Sequence, residues 1–150
     1  MKLRKIIVCL FITALLAGCS SASYSMHGKH NEINIEVSAD DGKYGECFVM
    51  DIKKDQIVHI DSKLKEGALQ IEFFEVVNTA TADESDDYEI ISTIKTVTVN
   101  PGDQLDVSLD GYKGDFMPGL TAIGKTSGEL VISVIKQSED LAAARSFKTM

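Results

Sequence analysis

The chain has 150 residues, 44% of them hydrophobic, the size and composition of one globular domain. It carries 23 Asp+Glu against 15 Lys+Arg, a formal net charge of -8. With no basic stripe to offset that charge, phosphate backbones are repelled and nucleic-acid binding is excluded.

The first element reads as an export signal. Lys2, Arg4 and Lys5 form a positive start, and residues 6–16 (IIVCLFITALL) are an apolar run. A spanning helix needs about 20 apolar residues, so this run is too short to cross a bilayer but suits a signal-peptide core. Residues 16–19 then read L-A-G-C, followed by Ser20 and Ser21. This start resembles the bacterial prolipoproteins and their lipobox. The resemblance implies cleavage between Gly18 and Cys19, with a diacylglyceryl group on the Cys19 thiol and palmitate-type acylation as the membrane anchor. Two acyl chains hold a protein stably on a bilayer where one holds it only marginally.

Removal of residues 1–18 takes three positive residues and no negative one, leaving 12 Lys+Arg against 23 Asp+Glu. So acidic a domain is expected to stand off an anionic membrane. Residues 19–31 read as the lipidated cysteine and a flexible tether, because SSASYSMHGKHN is small, polar and without period. A coil of that length averages roughly 20 Å end to end.

From Glu32 the hydrophobic period is two, the mark of a half-buried strand. Ile33, Ile35 and Val37 alternate with polar residues, then Phe48, Met50 and Ile52, then Val58 and Ile60. Leu69, Ile71 and Phe73 follow K-E-G at 65–67, and this strand runs to about Val77. Residues 78–88 are a long polar interruption, and 89–99 are rich in Ile, Thr and Val. N-P-G-D at 100–103 is a strong turn signal. Leu105, Val107 and Leu109 alternate after it, residues 110–128 read as a winding, glycine-rich segment, and 129–136 form the last strand. Residues 138–150 are a tail or short helix with Ser138 as a candidate N-cap.

About seven strands over 32–137, with no long helix to cross between parallel neighbours, predict an antiparallel all-β domain. The expected architecture is a β-sandwich, immunoglobulin-like or jelly-roll, with a small β-barrel as the alternative. No Trp is present, which argues against an antibody-type core. The F-x-M-x-I segment, IVHI, GALQIEF and SGELVISV resemble the small sandwich domains of bacterial surface lipoproteins. That resemblance implies a fold and no activity.

Several motifs carry candidate chemistry. GLTAIGKT at 119–126 fits the phosphate-cradling P-loop, with Gly119, Gly124, Lys125 and Thr126 at the required spacing. A P-loop follows a buried strand and opens a helix, whereas here GYKGDFMP precedes and SGELVISV follows. The match reads as chance, with Lys125 and Thr126 decorating a turn and no nucleotide bound. His27 and His30 lie three apart beside Met26, a donor set suited to Zn or Cu but incomplete. Acidic residues over 83–89 offer oxygens for Ca²⁺ but lack EF-hand spacing. His59 is the one histidine expected inside the domain and the one candidate catalytic base. Cys47, left alone once Cys9 is cleaved and Cys19 acylated, reads as a small buried strand residue. No cofactor is implied. The expectation is a non-catalytic, lipid-anchored binding or accessory module of the cell envelope, with a protein or glycan ligand. The alternatives are a small envelope hydrolase using His59 and a metal-binding lipoprotein using His27 and His30. Its place would be the outer leaflet of a Gram-positive cell membrane or a Gram-negative outer membrane.

Overall fold

The computed structural model describes residues 22–79 and 87–137, and throughout them the chain is all-β and antiparallel. The strands are β1 (Ala22–Lys29), β2 (Glu32–Ala39), β3 (Tyr44–Glu46), β4 (Met50–Ile52), β5 (Gln56–Asn78), β6 (Tyr88–Val99), β7 (Gln104–Val107) and β8 (Gly114–Lys136). The signal segment, Cys19, residues 83–86 of the acidic run and the C-terminal tail from Ser138 lie outside the described residues.

β2 shows why these residues make strands. Its polar and apolar positions alternate strictly, so Ile33, Ile35, Val37 and Ala39 are buried while the residues between them are exposed. Side chains of a strand point to opposite faces in turn, and one face covers the core. β5 and β8, each 23 residues long, form the spine of the molecule and pair along most of their length. The sheet order is β1-β2-β8-β5-β6, with β3 and β4 against β8 and β7 against β5.

Both spine strands turn a corner. Register shifts fall between Leu64 and Glu66 and between Glu66 and Ala68. Before the corner Val58, Ile60, Ser62 and Leu64 face inward; after it Leu69, Ile71 and Phe73 do. The inward phase moves from even to odd positions, which a strand achieves only by inserting a bulge. Gly67, at φ +75°, makes this possible: a Cβ there would sit 2.4 Å from Thr126 Oγ1 and 2.5 Å from the Lys125 carbonyl. The corner folds one sheet into two facing layers. One layer joins β7, the first half of β5, the second half of β8, β2 and β1; the other joins β6, the second half of β5, the first half of β8, β3 and β4.

The layers close on a single hydrophobic cluster. Phe73 and Phe116 meet edge to face at its centre, ring centroids 6.0 Å apart, both fully buried. Each such side chain contributes about 1.5–3 kcal/mol by burial. Tyr24 of β1 crosses to the other layer, where its hydroxyl donates to the Lys43 carbonyl at 2.8 Å.

The all-β, antiparallel expectation holds, and the layered arrangement is sandwich-like, with three corrections. The described residues form eight strands, joined in one sheet, because β5 and β8 serve both layers. K-E-G at 65–67 is a bulge within β5, and the segment expected to wind over 110–128 is mostly β8. Residues 22–29, expected as tether, are β1: Tyr24 and Met26 alternate inward between serines and His27, a pattern diluted by small residues but still of period two.

Candidate functional site: a polar trench across the outer sheet face

The outward residues of β1, β2, β8 and β5 form rows across four strands, because antiparallel register sets them side by side. Lys63, Glu129, Glu36 and Ser25 make one row. Asp61, Val131, Asn34 and His27 make the next, towards the β1–β2 turn. On the corner side Ser127, Ser38 and Ser23 form a row of hydroxyls. Two shallow depressions of about 460 and 260 Å³ run along these rows, sharing Glu36, Lys63 and Glu129. Together they form one polar trench.

At its centre Glu36 and Glu129 stand directly opposite each other. Like charges so placed destabilise a sheet. Lys63, on the other side of Glu129, offsets part of the repulsion. The trench therefore offers adjacent carboxylates, an ammonium, an amide and hydroxyls on a rigid floor. That chemistry suits hydrogen bonding to a ligand bearing amines or hydroxyls.

A further row lies beside the trench. His59 Nδ1 contacts Asp106 Oδ1 of β7 at 2.8 Å, and Ser133 of β8 is the cross-strand neighbour on the opposite side of His59. The order Asp, His, Ser is the order of a proton relay. Acyl transfer also needs backbone N–H groups aimed at an oxyanion. Around Ser133 the backbone of β8 pairs with β2 on one side and β5 on the other, so the ladders occupy its donors.

The other candidate residues fall elsewhere. His27 stands in the trench, while His30 closes the β1–β2 turn with Nε2 3.0 Å from Asp51 Oδ1 of β4. The two histidines serve different contacts, and among the described residues no three His, Cys, Asp or Glu side chains converge to hold a metal. Cys47 is buried, and burial, with Glu46 beside it, pushes its thiol far up from the usual range. Thiolate, the reactive form, is therefore disfavoured. Burial likewise raises the Tyr24 phenol from 10.0 to about 12, the nearby Cys47 adding to the rise.

The P-loop-like stretch is the corner of β8. Between the pairs Glu66–Ser127 and Ala68–Ile123, β5 spends one residue and β8 spends three: Gly124, Lys125 and Thr126. Gly119 lies in the strand proper, paired with Glu72 and Glu46, and no helix follows. The Gly124 N–H donates to Asp41 Oδ1 at 2.7 Å, a carboxylate that would repel phosphate. Thr126 does not decorate a turn, as expected from sequence. It is 1% exposed, and its hydroxyl lies within reach of two backbone acceptors of the bulge, the Ala68 carbonyl at 3.0 Å and the Gly124 carbonyl at 3.1 Å. Lys125 is exposed.

The trench residues Glu36, Glu129, Lys63, Asp61 and Asn34 were not legible as a site. Each announces itself only as the outward member of an alternating strand. Register, which joins them, is written in no local motif.

No protein-family model matches the chain, and no curated protein does. Among solved structures, a crystal structure of Drosophila melanogaster CENP-C bound to CAL1 is similar over 90% of this chain and 100% of that one, with 11% identity and a TM-score of 0.32. A likeness at that score carries no argument about function.

Proposed function

We propose that this protein is a lipid-anchored, extracytoplasmic binding module, non-catalytic, that holds a polar protein or glycan segment in the trench. One observation carries the reading: Glu36 and Glu129 face each other at the centre of the trench. Sites that bind are commonly held at some cost to stability, and this pair has such a cost. A ligand amine or hydroxyl between the two carboxylates relieves it. The lipobox-like start at residues 16–19 supports the anchor.

The test is crosslinking in intact cells with the wild-type chain as bait, read by mass spectrometry. A dominant partner lost in Glu36→Gln with Glu129→Gln supports the trench. A partner retained by that double variant removes it. The intact mass of the membrane-purified chain should show cleavage before Cys19 and a diacylglyceryl addition, and a mature chain with unmodified Cys19 would defeat the anchor.

A small envelope hydrolase is the second reading, resting on the His59–Asp106 contact beside Ser133. A fluorophosphonate probe should then label Ser133 in the wild type and not in His59→Ala. Absence of labelling in the wild type ends this reading.

A further inference from the structure

The lipidation reading, joined to the start of β1, orients the domain on its membrane. Cys19 and Ala22 are three residues apart, and a fully extended chain spans at most about 3.6 Å per residue, so roughly 11 Å separates them at the limit. Ala22 pairs with Ala39, and Ala39 pairs with Thr126. The first strand therefore enters the fold at the corner end, beside the bulge of β8 and the turn from β2 to β3.

We infer that the corner end of the domain lies against the bilayer, with Ile123 and Lys125 at the lipid surface. The inference rests on the proposed acylation of Cys19. Three features of the corner fit a bilayer. Ile123 is 44% exposed there, a large apolar side chain directed away from the core. Lys43, Lys65 and Lys125 lie in the segments that meet at this corner, long side chains that can lay apolar stems on lipid while their ammonium groups reach the headgroups. Two acidic residues of the corner, Asp41 and Glu66, are turned to protein donors: Asp41 accepts from the Gly124 N–H, and Glu66 accepts from the Ser127 hydroxyl at 3.2 Å. The chain as a whole is acidic, so the domain is held close by its short connection in spite of its net charge, and the 20 Å stand-off expected from a long tether does not apply. The serine end of the trench, at Ser23, Ser38 and Ser127, then opens next to the headgroups. The far end, where Thr79 and Asp87 meet, points away from the membrane.

The chain has no Trp, so one introduced tryptophan reports its own position. The full chain is purified from membranes, its intact mass checked for the acyl group on Cys19, and reconstituted into phosphatidylethanolamine and phosphatidylglycerol vesicles containing headgroup spin-labelled lipid. Ile123→Trp, at the corner, should lose most of its fluorescence and shift to the blue. Lys125→Trp is a second reporter at the same place. Ile91→Trp, on β6 near the far end and 57% exposed, should keep its intensity. Equal quenching at both ends, or stronger quenching of Ile91→Trp, in a chain of confirmed acylated mass overturns the orientation and leaves the anchor standing. An unmodified Cys19 overturns the anchor and the orientation together.

Discussion

The two ends of the molecule are built by different means. At the corner, backbone lies against backbone: Gly67 and Gly128 let β5 and β8 approach so closely that a Cβ on Gly128 would sit 2.6 Å from Leu64 Cα. At the far end the connections are turns held by a few polar contacts each. There the Asp51 N–H donates to Asn31 Oδ1, the Lys53 N–H donates to Gln56 Oε1 and the Tyr112 hydroxyl donates to the Asp115 carbonyl. Gly111 in that region has φ +82° and open space around its Cβ position. Substitution at the corner is therefore a packing event, whereas substitution at the far end is a local conformational cost.

The largest expected effect breaks that contrast directly. Gly67→Ala adds strain at positive φ to a backbone collision, and should cost about 3 kcal/mol or more. Gly111→Ala carries the φ cost alone and should lose about 1–2 kcal/mol. Urea midpoints of the two variants decide it, and equal losses would mean that the corner is no tighter than the far end.

Thr126 comes next. Thr126→Val keeps the shape but removes the hydroxyl that bridges to the Ala68 and Gly124 carbonyls, for an expected loss of about 0.5–1.5 kcal/mol. Its neighbour Lys125 is exposed, and Lys125→Ala should stay within about 0.5 kcal/mol. A Thr126→Val variant as stable as wild type would remove the hydroxyl from the account of the bulge.

Alkaline pH sharpens the comparison further. Tyr24 keeps its proton in the fold to about pH 12 and releases it near 10.0 when unfolded. The folded state thus binds this proton more tightly, so the contribution is complete below pH 10, shrinks from there and is gone above pH 12. Tyr24→Phe should be less stable at neutral pH by about 1 kcal/mol, having lost the bond to Lys43. It should also lose less than the wild type between pH 10 and 12. Parallel stability curves over that window would show that the phenol is not buried in the fold.

The smallest expected effect lies in the trench and has the opposite sign. Glu36→Gln removes one of two facing carboxylates and should stabilise the domain by about 0.2–1 kcal/mol, most clearly at low salt. A destabilised variant would mean that Glu36 is held by partners worth more than the repulsion, and would weaken the case for a ligand between the pair.

Much of the secondary structure was legible, because alternation of period two is a local signal. β2 reads directly from Ile33, Ile35 and Val37, and the turn at residues 100–103 from its Pro and Gly. β1 was missed because Ser, His and Gly diluted the alternation around Tyr24 and Met26. The unity of β5 was missed for a different reason. Lys65, Glu66 and Gly67 have the composition of a turn, and a bulge within a bent strand uses the same residues for the same steric freedom.

The sequence by itself determined an acidic, antiparallel all-β domain, since charge and alternation are properties of the chain taken locally. It also showed that GLTAIGKT has the wrong flanks for a nucleotide loop. Only the tertiary structure decided that this stretch is the corner of the sheet and that Thr126 is buried there. It alone set Glu36 opposite Glu129, 93 positions away along the chain, and His59 beside Asp106, 47 positions away. Register and bend arise from pairing between distant strands, and no short stretch of residues encodes which distant partner it will meet.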